Sequence, residues 1–243
     1  MYTEKPCHLS IILPAYNEEN DIEHCVEETM RTVGAEGISY EIIIVENGST
    51  DQTYKIAQQL SNKFKQISTT HLEESGFESA IKEGFNLAKG EFVAHLDVDL
   101  STDMSHFKEL LLHAKNYDFV TGSRYLDASS AKRTFGRLLL SKAFNSLLIN
   151  FLLKSKIKDN NCGFRIIKRD VGLELFNFVE SNTGFGNVEL IVIAQRKGYS
   201  VKEFPVRWKE NMSDVKFKWV SEFFIPALKL WIRLNFKNKE IRD

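Results

Sequence analysis

Residues 90–101 read GEFVAHLDVDLS, and the interpretation of the whole chain begins with this stretch. Residues 92–96 form a short apolar run with β-branched and aromatic side chains, which predicts a buried strand. The strand ends at Asp97 and Asp99, and residues at i and i+2 of a strand point to the same side. Two carboxylates held this close repel each other unless a cation lies between them. The pattern fits a divalent metal site, but taken alone it favours a turn with two solvated aspartates.

The bulk properties indicate one large domain. The chain has 243 residues and a net charge of -1, so it can bury a substantial core and gives no global sign of nucleic-acid binding. Its three cysteines include no CxxC pair, and the N-terminus has no targeting pattern, so we expect reduced thiols in the cytoplasm. No run reaches the ~18 apolar residues that a membrane-spanning helix needs.

Strand and helix patterns alternate regularly in the first half of the chain. Apolar runs predict strands at residues 9–13, 41–45, 67–70, 92–96, 119–124, 164–168 and 200–206. Segments with helical periodicity lie between most of them, and another helix is predicted at residues 187–197. This alternation predicts an α/β fold, with a mostly parallel Rossmann-like sheet and helices on both faces.

Two apolar segments depart from this pattern. Residues 137–153, RLLLSKAFNSLLINFLL, predict either a buried core helix or a helix at a membrane interface. The tail from residue 219 mixes aromatic side chains with lysines and arginines, which suits a bilayer interface or an oligomer contact. Pro226 is expected to interrupt any single long helix there. We therefore divide the chain into a main domain (1–218) and an amphipathic C-terminal tail (219–243).

Polar or glycine-rich motifs follow four of the predicted strands, and they are PAYNE (14–18), ENGSTD (46–51), DVD (97–99) and GSR (122–124). The carboxyl ends of parallel strands share one edge, so these motifs would line one cleft. An R-x-x-x-S pattern at 137–141 and CGFR at 162–165 follow in order. Over residues 9–208 the chain resembles the inverting glycosyltransferases of family 2, which have the GT-A fold. The closer resemblance is to polyprenyl- and dolichyl-phosphate sugar synthases, such as dolichyl-phosphate mannose synthase.

The resemblance implies a role for each motif. The residues that it implies for nucleotide-sugar binding are Pro14, Tyr16, Glu18, Val45, Glu46, Asn47, Asp97 and Val98. The catalytic residues that it implies are Asp97, Asp99, Arg124 and Arg137, of which the two aspartates hold Mg²⁺ or Mn²⁺. The residues that it implies for the acceptor phosphate are Arg124, Arg137, Ser141 and Lys216.

Two positions depart from the family pattern. Asn47 stands where the family usually has an aspartate that reads a ring N–H of the base, and Glu46 keeps the preceding acid. An amide offers both a donor and an acceptor, so we expect base recognition with a changed preference. Lys216 is only a loose match to the basic loop that follows the last strand in the family. His95 is interpreted as a buried structural residue.

The implied reaction moves a hexose from a GDP- or UDP-sugar to a polyprenyl or dolichyl phosphate, with inversion at the anomeric carbon. A phosphate monoester has a second pKa of about 6, so near neutral pH this acceptor is mostly ionised and needs little help from a general base. We expect the enzyme to lie peripherally on the cytoplasmic face of a membrane. The tail would hold it there, or would bind a membrane protein or a second copy of the chain.

Other interpretations remain open. A soluble family 2 enzyme that uses a saccharide hydroxyl as acceptor would need a general base, and Asp159 and Glu189 are the candidates. A peripheral membrane scaffold without activity is supported only by Asn47. Nucleotidyl transfer would require a glycine-rich phosphate loop near the N-terminus, which the sequence lacks.

Overall fold

The computed structural model describes residues 8–126, 131–132, 145–182, 184–209 and 223–237. The strands in these ranges are β1 (Leu9–Ala15), β2 (Tyr40–Asn47), β3 (Ile67–Leu72), β4 (Phe92–His95), β5 (Phe119–Ser123), β6 (Ala131–Lys132), β7 (Arg165–Lys168), β8 (Val201–Pro205) and β9 (Trp208–Lys209). The helices are α1 (Ile22–Gly34), α2 (Thr53–Lys63), α3 (Phe77–Leu87), α4 (Phe107–Ala114), α5 (Arg169–Phe176), α6 (Gly186–Arg196) and α7 (Ile225–Ile232). A 3₁₀ turn (Met104–His106) precedes α4, and Asn145–Leu152 and Arg233–Lys237 are π-helical.

Seven of the described strands form the central sheet, in the order β3-β2-β1-β4-β7-β5-β8. Neighbouring strands are parallel except at β7, which runs antiparallel to both β4 and β5. The short strands β6 and β9 form a separate parallel pair. The predicted α/β fold with a mostly parallel sheet is therefore confirmed, with one reversed strand near its centre.

Helices cover both faces of the sheet, because the strands bury side chains on both sides. On β1, Ile11 and Leu13 face the core under α1, α2 and α4, whereas Ile12 faces the core under α3, α5 and α6. Gly84 allows α3 to lie close to β1, since a β-carbon there would lie 2.6 Å from Ile12 Cγ2. This close packing directs the N-terminus of α3 towards the carboxyl edge of β1 and β2.

The two apolar segments predicted at 137–153 and from residue 219 both pack partly on the core that lies under α3, α5 and α6. Ile149 and Leu153 are buried there, while the neighbouring Phe151 is 83% exposed. In the tail, Leu230 joins this core, and Pro226 lies in the first turn of α7, where a proline starts a helix rather than interrupting one. The division of the chain at residue 218 stays a prediction, since residues 210–222 lie outside the described ranges. Among the described helices, none is long and apolar enough to cross a membrane.

Candidate active site

The loops that follow β1 and β2 are tied together at the carboxyl edge of the sheet. Asn17 has a φ of 56°, and its Oδ1 accepts a hydrogen bond of 2.8 Å from the N–H of Thr50. The N–H of Glu18 donates to Thr53 Oγ1 at 2.7 Å. Asparagine tolerates this left-handed backbone better than most residues. These hydrogen-bonded loops hold Tyr16 and Glu18 at the rim of a cleft.

The two aspartates of the opening stretch lie in a turn after β4, and not on the strand itself as the i, i+2 argument assumed. The N–H of Leu100 donates to the carbonyl oxygen of Asp97 at 3.2 Å, and Leu100 has a φ of 48°. Asp99 Oδ1 accepts a hydrogen bond of 2.9 Å from the N–H of Ser101. Both aspartates still reach the same cleft, because the turn folds back over the edge of the sheet.

This acidic cleft has a volume of about 590 Å³. It is lined by Pro14, Tyr16, Glu18, Asn47, Ser75, Gly76, Phe77, Asp97, Val98, Asp99 and Asn182. Six of the eight predicted nucleotide-sugar residues therefore line one cleft. The other wall, formed by the N-terminus of α3 and by Asn182, was not predicted from the sequence. The Ser75-Gly76 pair before a helix is a signal for that wall, whereas the local sequence around Asn182 carries none.

Val45 and Glu46 lie beneath the cleft and do not line it. Val45 is fully buried in the core. The Glu46 carboxylate is also fully buried, where it accepts a hydrogen bond of 2.5 Å from the N–H of Ser49 and pairs with Nδ1 of His71. These contacts support the loop after β2 from below, so any effect of either residue on a ligand would be indirect.

Asn47 uses its amide within the protein. Its Nδ2 donates to the carbonyl oxygen of Ala15 at 2.9 Å, and its Oδ1 accepts from the N–H of Gly76 at 3.1 Å. An aspartate has no donor for the first of these bonds unless it is protonated. The amide thus joins the ends of β1 and β2 to the start of α3, which gives a structural reason for asparagine here. Its part in base recognition stays a prediction.

Negative charge accumulates in the cleft. Burial, together with the nearby Asp21, Asp99, Asp97 and Asp51, raises the pKa of Glu18 to about 7. Burial and the neighbouring Asp99 raise the pKa of Asp97 to about 6, although Arg165 and Arg124 oppose this shift. A cation bound between the carboxylates would relieve this repulsion.

The donor set fits a metal ion that is shared with a ligand. In the described ranges, no cluster of three or more histidine, cysteine, aspartate or glutamate side chains is arranged to hold a metal. Mg²⁺ is commonly bound by one or two carboxylates and completed by phosphate oxygens and water. Asp97 and Asp99 supply that number of carboxylates, so they fit a diphosphate-bound ion better than a closed protein site. The metal ion itself stays a prediction.

The CGFR motif forms a seat for Asp97. Gly163 lies directly against the Asp97 carboxylate, so that a β-carbon at this position would collide with both carboxylate oxygens. Arg165 is 1% exposed, and its Nε donates to the carbonyl oxygen of Cys162 at 2.9 Å. Burial lowers the pKa of Arg165 to about 10, while Cys162 and Asp97 oppose this shift. Sequence reasoning recognised this motif but assigned it no role.

His95 is buried as expected. Burial, together with Arg165, holds the pKa of its imidazole well below the usual value, so the ring is neutral. The ring packs edge-on against Phe77, with the centroids 5.3 Å apart. Its Nε2 lies 3.7 Å from Asp97 Oδ1, beyond hydrogen-bonding distance.

Arg124 is held in a buried ion pair with Asp159. Both guanidinium contacts are short, at 2.6 Å for Nε to Oδ2 and 2.7 Å for Nη2 to Oδ1. The guanidinium also lies 5.5 Å from the ring centre of Trp208. Within the described part of the chain, the hydrogen bonds of the guanidinium involve Nε and Nη2. The role of Arg124 towards an acceptor phosphate stays a prediction.

The two candidate general bases are both engaged in the protein. Arg124 lowers the pKa of Asp159 despite the opposing effect of burial, and it occupies both carboxylate oxygens. Glu189 is 3% exposed, accepts hydrogen bonds from the backbone of Glu180 and Ser181, and pairs with Arg233. Neither carboxylate is therefore placed to deprotonate a saccharide hydroxyl.

Three predicted acceptor residues, Arg137, Ser141 and Lys216, lie outside the described ranges. The structure consequently gives no test of their roles.

The sheet topology and the acidic cleft at its carboxyl edge define the GT-A class of glycosyltransferase folds. Among solved structures, glucosyl-3-phosphoglycerate synthase from M. tuberculosis has a TM-score of 0.65 at 18% identity, covering 93% of this chain and 80% of that one. Residues 1–349 of S. aureus TarS have a TM-score of 0.57 at 17% identity, covering 96% and 67%. At these identities the likeness shows the fold alone.

The family follows from the sequence comparison. The model for Glycosyl transferase family 2 matches residues 10–176, and the chain belongs to this family. Glycosyltransferase AglD of Haloferax volcanii is 34% identical over an alignment of 242 positions, which covers 96% of this chain but only 38% of AglD. Dolichyl-phosphate beta-glucosyltransferase ALG5D of Trichomonas vaginalis is 30% identical over 257 residues, covering 99% of this chain and 78% of that protein. The human dolichyl-phosphate beta-glucosyltransferase is 29% identical over 245 residues, covering 94% and 75%.

Proposed function

We propose that this chain transfers a hexose, with glucose the first candidate, from a nucleotide sugar to a dolichyl or polyprenyl phosphate. The relatives named dolichyl-phosphate beta-glucosyltransferase support the sugar and the acceptor. The observation that carries the proposal is the acidic cleft, in which Asp97 and Asp99 line one wall and six of the predicted nucleotide-sugar residues lie together. Among the described residues, the two base candidates Asp159 and Glu189 are both engaged within the protein, which suits an acceptor that is already ionised.

The reaction is a direct displacement. An oxygen of the acceptor phosphate forms the new bond to the anomeric carbon, and the bond from that carbon to the nucleoside diphosphate breaks. The leaving diphosphate takes the bonding electrons, and no proton transfer is needed. When it is bound by Asp97 and Asp99, Mg²⁺ or Mn²⁺ supplies positive charge that stabilises the leaving group.

The residues of the cleft wall bind and orient the donor. Tyr16 is 47% exposed at the rim, where its ring can stack against a base. Glu18, with a pKa of about 7, is partly protonated at neutral pH. Its carboxyl group can therefore donate a hydrogen bond to a ribose hydroxyl or accept one from it. The hydrogen-bonded loops keep both side chains in place before the donor arrives.

A lipid surface is the proposed location. Phe224, Leu228, Ile232 and Phe236 follow one another at intervals of four residues, and all four are exposed. The exposed Phe151 lies on the π-helical segment that packs against α7. We call these five exposed apolar side chains the tail surface. Aromatic and aliphatic side chains on one exposed face suit insertion into a bilayer interface, here on its cytoplasmic side.

The test is a transfer assay with UDP-glucose, GDP-mannose and other sugar nucleotides, each with dolichyl or undecaprenyl phosphate, and with Mg²⁺, Mn²⁺ or EDTA. We expect a sugar-phosphate lipid to form with one donor and to disappear with EDTA. The Asp99→Asn variant should lose about 100-fold or more in rate, whereas Asp103→Asn, at an exposed ion pair with Arg207, should not. Transfer to a free saccharide, with none to the lipid phosphates, would contradict the proposal.

Flotation with phosphatidylserine vesicles tests the location. Replacing Phe224 and Leu228 by serine should release the protein from the vesicles, because both side chains belong to the tail surface. The control replaces Leu112, an equally exposed leucine on α4, by serine. If the double variant still floats, or if it changes from a dimer to a monomer instead, the lipid role of this surface is wrong.

A further inference from the structure

The loop that joins α5 to α6 places Asn182 on the wall of the acidic cleft. Asn182 Oδ1 accepts a hydrogen bond of 3.0 Å from the N–H of Ser79, in the first turn of α3. Its amide also lies directly against Gly76, where a β-carbon would collide with it. The shape of the cleft beside the start of α3 therefore depends on where this loop holds Asn182.

A buried carboxylate fixes the backbone just before Asn182. Glu189 Oε2 accepts hydrogen bonds from the N–H groups of Glu180, at 2.8 Å, and of Ser181, at 3.1 Å. Burial raises the pKa of Glu189, whereas these backbone hydrogen bonds and a nearby cation oppose the shift, so the cation favours the ionised carboxylate that these N–H groups bind.

A second buried carboxylate fixes the backbone after Asn182. Glu78, in the first turn of α3, accepts hydrogen bonds from the N–H groups of Gly184, at 3.1 Å, and of Gly186, at 2.7 Å. The absence of a side chain at Gly186 leaves the space that the Glu78 side chain occupies. The loop is thus held on both sides of the residue that reaches the cleft.

The cation beside Glu189 comes from the tail. Arg233 is 6% exposed, and its Nη2 donates to Glu189 Oε1 at 3.2 Å, while its Nη1 lies 2.7 Å from Glu180 Oε1. A second contact joins the same two parts of the chain, since the rings of Phe223 and Phe185 meet with their centroids 6.3 Å apart. Arg233 therefore stands between the tail surface and the loop that shapes the cleft.

We propose that Arg233 is a positioning residue for donor binding. It fixes the loop that carries Asn182 to the tail, through Glu189 and Glu180, and thereby holds the wall of the acidic cleft in its binding shape. The identification of the ligand as a nucleotide sugar rests on the proposed function. The contacts that link Arg233 to the cleft wall do not depend on it. A tail seated on a lipid surface would, by the same contacts, favour the binding-competent cleft.

The experiment measures donor affinity by calorimetry for the full chain at a temperature where every variant is folded. Arg233→Met should raise the dissociation constant of the nucleotide sugar about fivefold or more, and leave kcat at saturating donor within about twofold. Arg233→Lys should recover part of the affinity, because an ammonium group can reach one carboxylate but lacks the two-pronged geometry. In the background of Glu189→Gln, removing Arg233 should add little, as coupled residues are not additive.

The matched control is Arg169→Met, which removes an arginine at the opposite, amino edge of the sheet, where its Nε donates to the carbonyl oxygen of Ala88 at 2.7 Å. Its donor affinity should equal that of the wild type. If Arg233→Met lowers only the melting temperature and leaves the donor affinity unchanged, Arg233 is merely structural and the proposal is overturned.

Hydrogen exchange separates this proposal from the proposed function. If the wild type binds no sugar nucleotide, the proposed function fails, but the backbone amides of Glu180 and Ser181 should still exchange about tenfold faster in Arg233→Met than in the wild type. Unchanged exchange at these two amides would overturn the role of Arg233 whatever the ligand is.

Discussion

Arg124 and Asp159 form a two-pronged ion pair across 35 residues of chain, with Asp159 fully buried and hydrogen bonds of 2.6 and 2.7 Å. The backbone N–H of Arg124 donates to the same carboxylate at 2.9 Å. The side chain that follows β5 is therefore bound to the segment that leads into β7. Asp159 can therefore serve either as a structural counter-ion or as a catalytic base, and these two roles can be told apart.

Asp159→Ala should destabilise the fold, because it leaves the buried Arg124 without its counter-ion. Breaking a buried pair in this way costs about 3–5 kcal/mol, which urea unfolding would measure. The half-exposed pair of Lys168 with Asp118 is the control, and Lys168→Met should cost less than about 1 kcal/mol. An Asp159→Ala protein with normal stability and no activity would instead support Asp159 as a catalytic base.

Glu18 should make the stability of the ligand-free protein depend on pH. Its pKa is raised from 4.5 to about 7 on folding, so between these values the folded protein holds a proton that the unfolded chain has released. The free energy of unfolding should therefore fall as pH rises from about 4.5 to about 7, and this contribution should then level off. Urea unfolding at several pH values should show a smaller fall for Glu18→Gln. The exposed Glu23→Gln is the control, and an equal effect of both variants would contradict the assignment.

Asn47→Asp should lower stability even though an acid is usual at this position in the family. The variant loses the hydrogen bond from Nδ2 to the carbonyl oxygen of Ala15, and it places a carboxylate oxygen against that carbonyl. An unsatisfied buried group of this kind costs about 1–3 kcal/mol. Thermal unfolding would measure the stability of the variant. Its affinities for uracil and guanine nucleotides would show which base it prefers. A variant that is as stable as the wild type and binds its donor more tightly would show that the position chiefly reads the base.

Gly163→Ala should reduce activity by displacing the Asp97 carboxylate, which lies against the glycine. A shift of about 1 Å in a catalytic group costs about 100-fold in rate. The affinity for Mn²⁺, measured by electron paramagnetic resonance, should fall with it. Gly34→Ala is the control, because its new β-carbon would meet only the Tyr40 hydroxyl, at 3.9 Å. If Gly163→Ala kept wild-type activity and Mn²⁺ affinity, the close contact of Gly163 with the Asp97 carboxylate would be unimportant for both.

The sequence was sufficient to predict elements with strong local patterns. The alternation of apolar runs located β1 to β5, and the ordered motifs located six of the predicted donor residues on one cleft. The apolar run predicts a first strand at residues 9–13, but β1 continues through Pro14 to Ala15. The proline is tolerated because β4 pairs with β1 only as far as Ile12, so on that side no N–H is needed at position 14.

Features that depend on distant parts of the chain were not predictable in this way. The reversal of β7 leaves no mark in the pattern of residues 165–168, since a buried strand is apolar in either direction. Asn182 lies on the cleft because the buried carboxylates of Glu189 and Glu78 hold its loop. No sequence motif links Asn182 to either of these two glutamates. The function of Arg165 as a buried cation beneath Asp97 likewise follows from burial, which an arginine in a sequence does not suggest.

The reversal of β7 has a consequence for how such a protein can diversify. Because β5 and β7 are antiparallel neighbours, the chain leaves the sheet after Ser123 and returns at Arg165 on the same edge, beside the cleft. The pair of Arg124 with Asp159 fastens the two ends of this excursion together. Apart from the residues that pack on the core, such as Ile149 and Leu153, its length and sequence can then change without shifting the register of the strands on either side. We expect an exchange of this one insert between relatives to transplant acceptor preference while the donor half of the enzyme stays as it is.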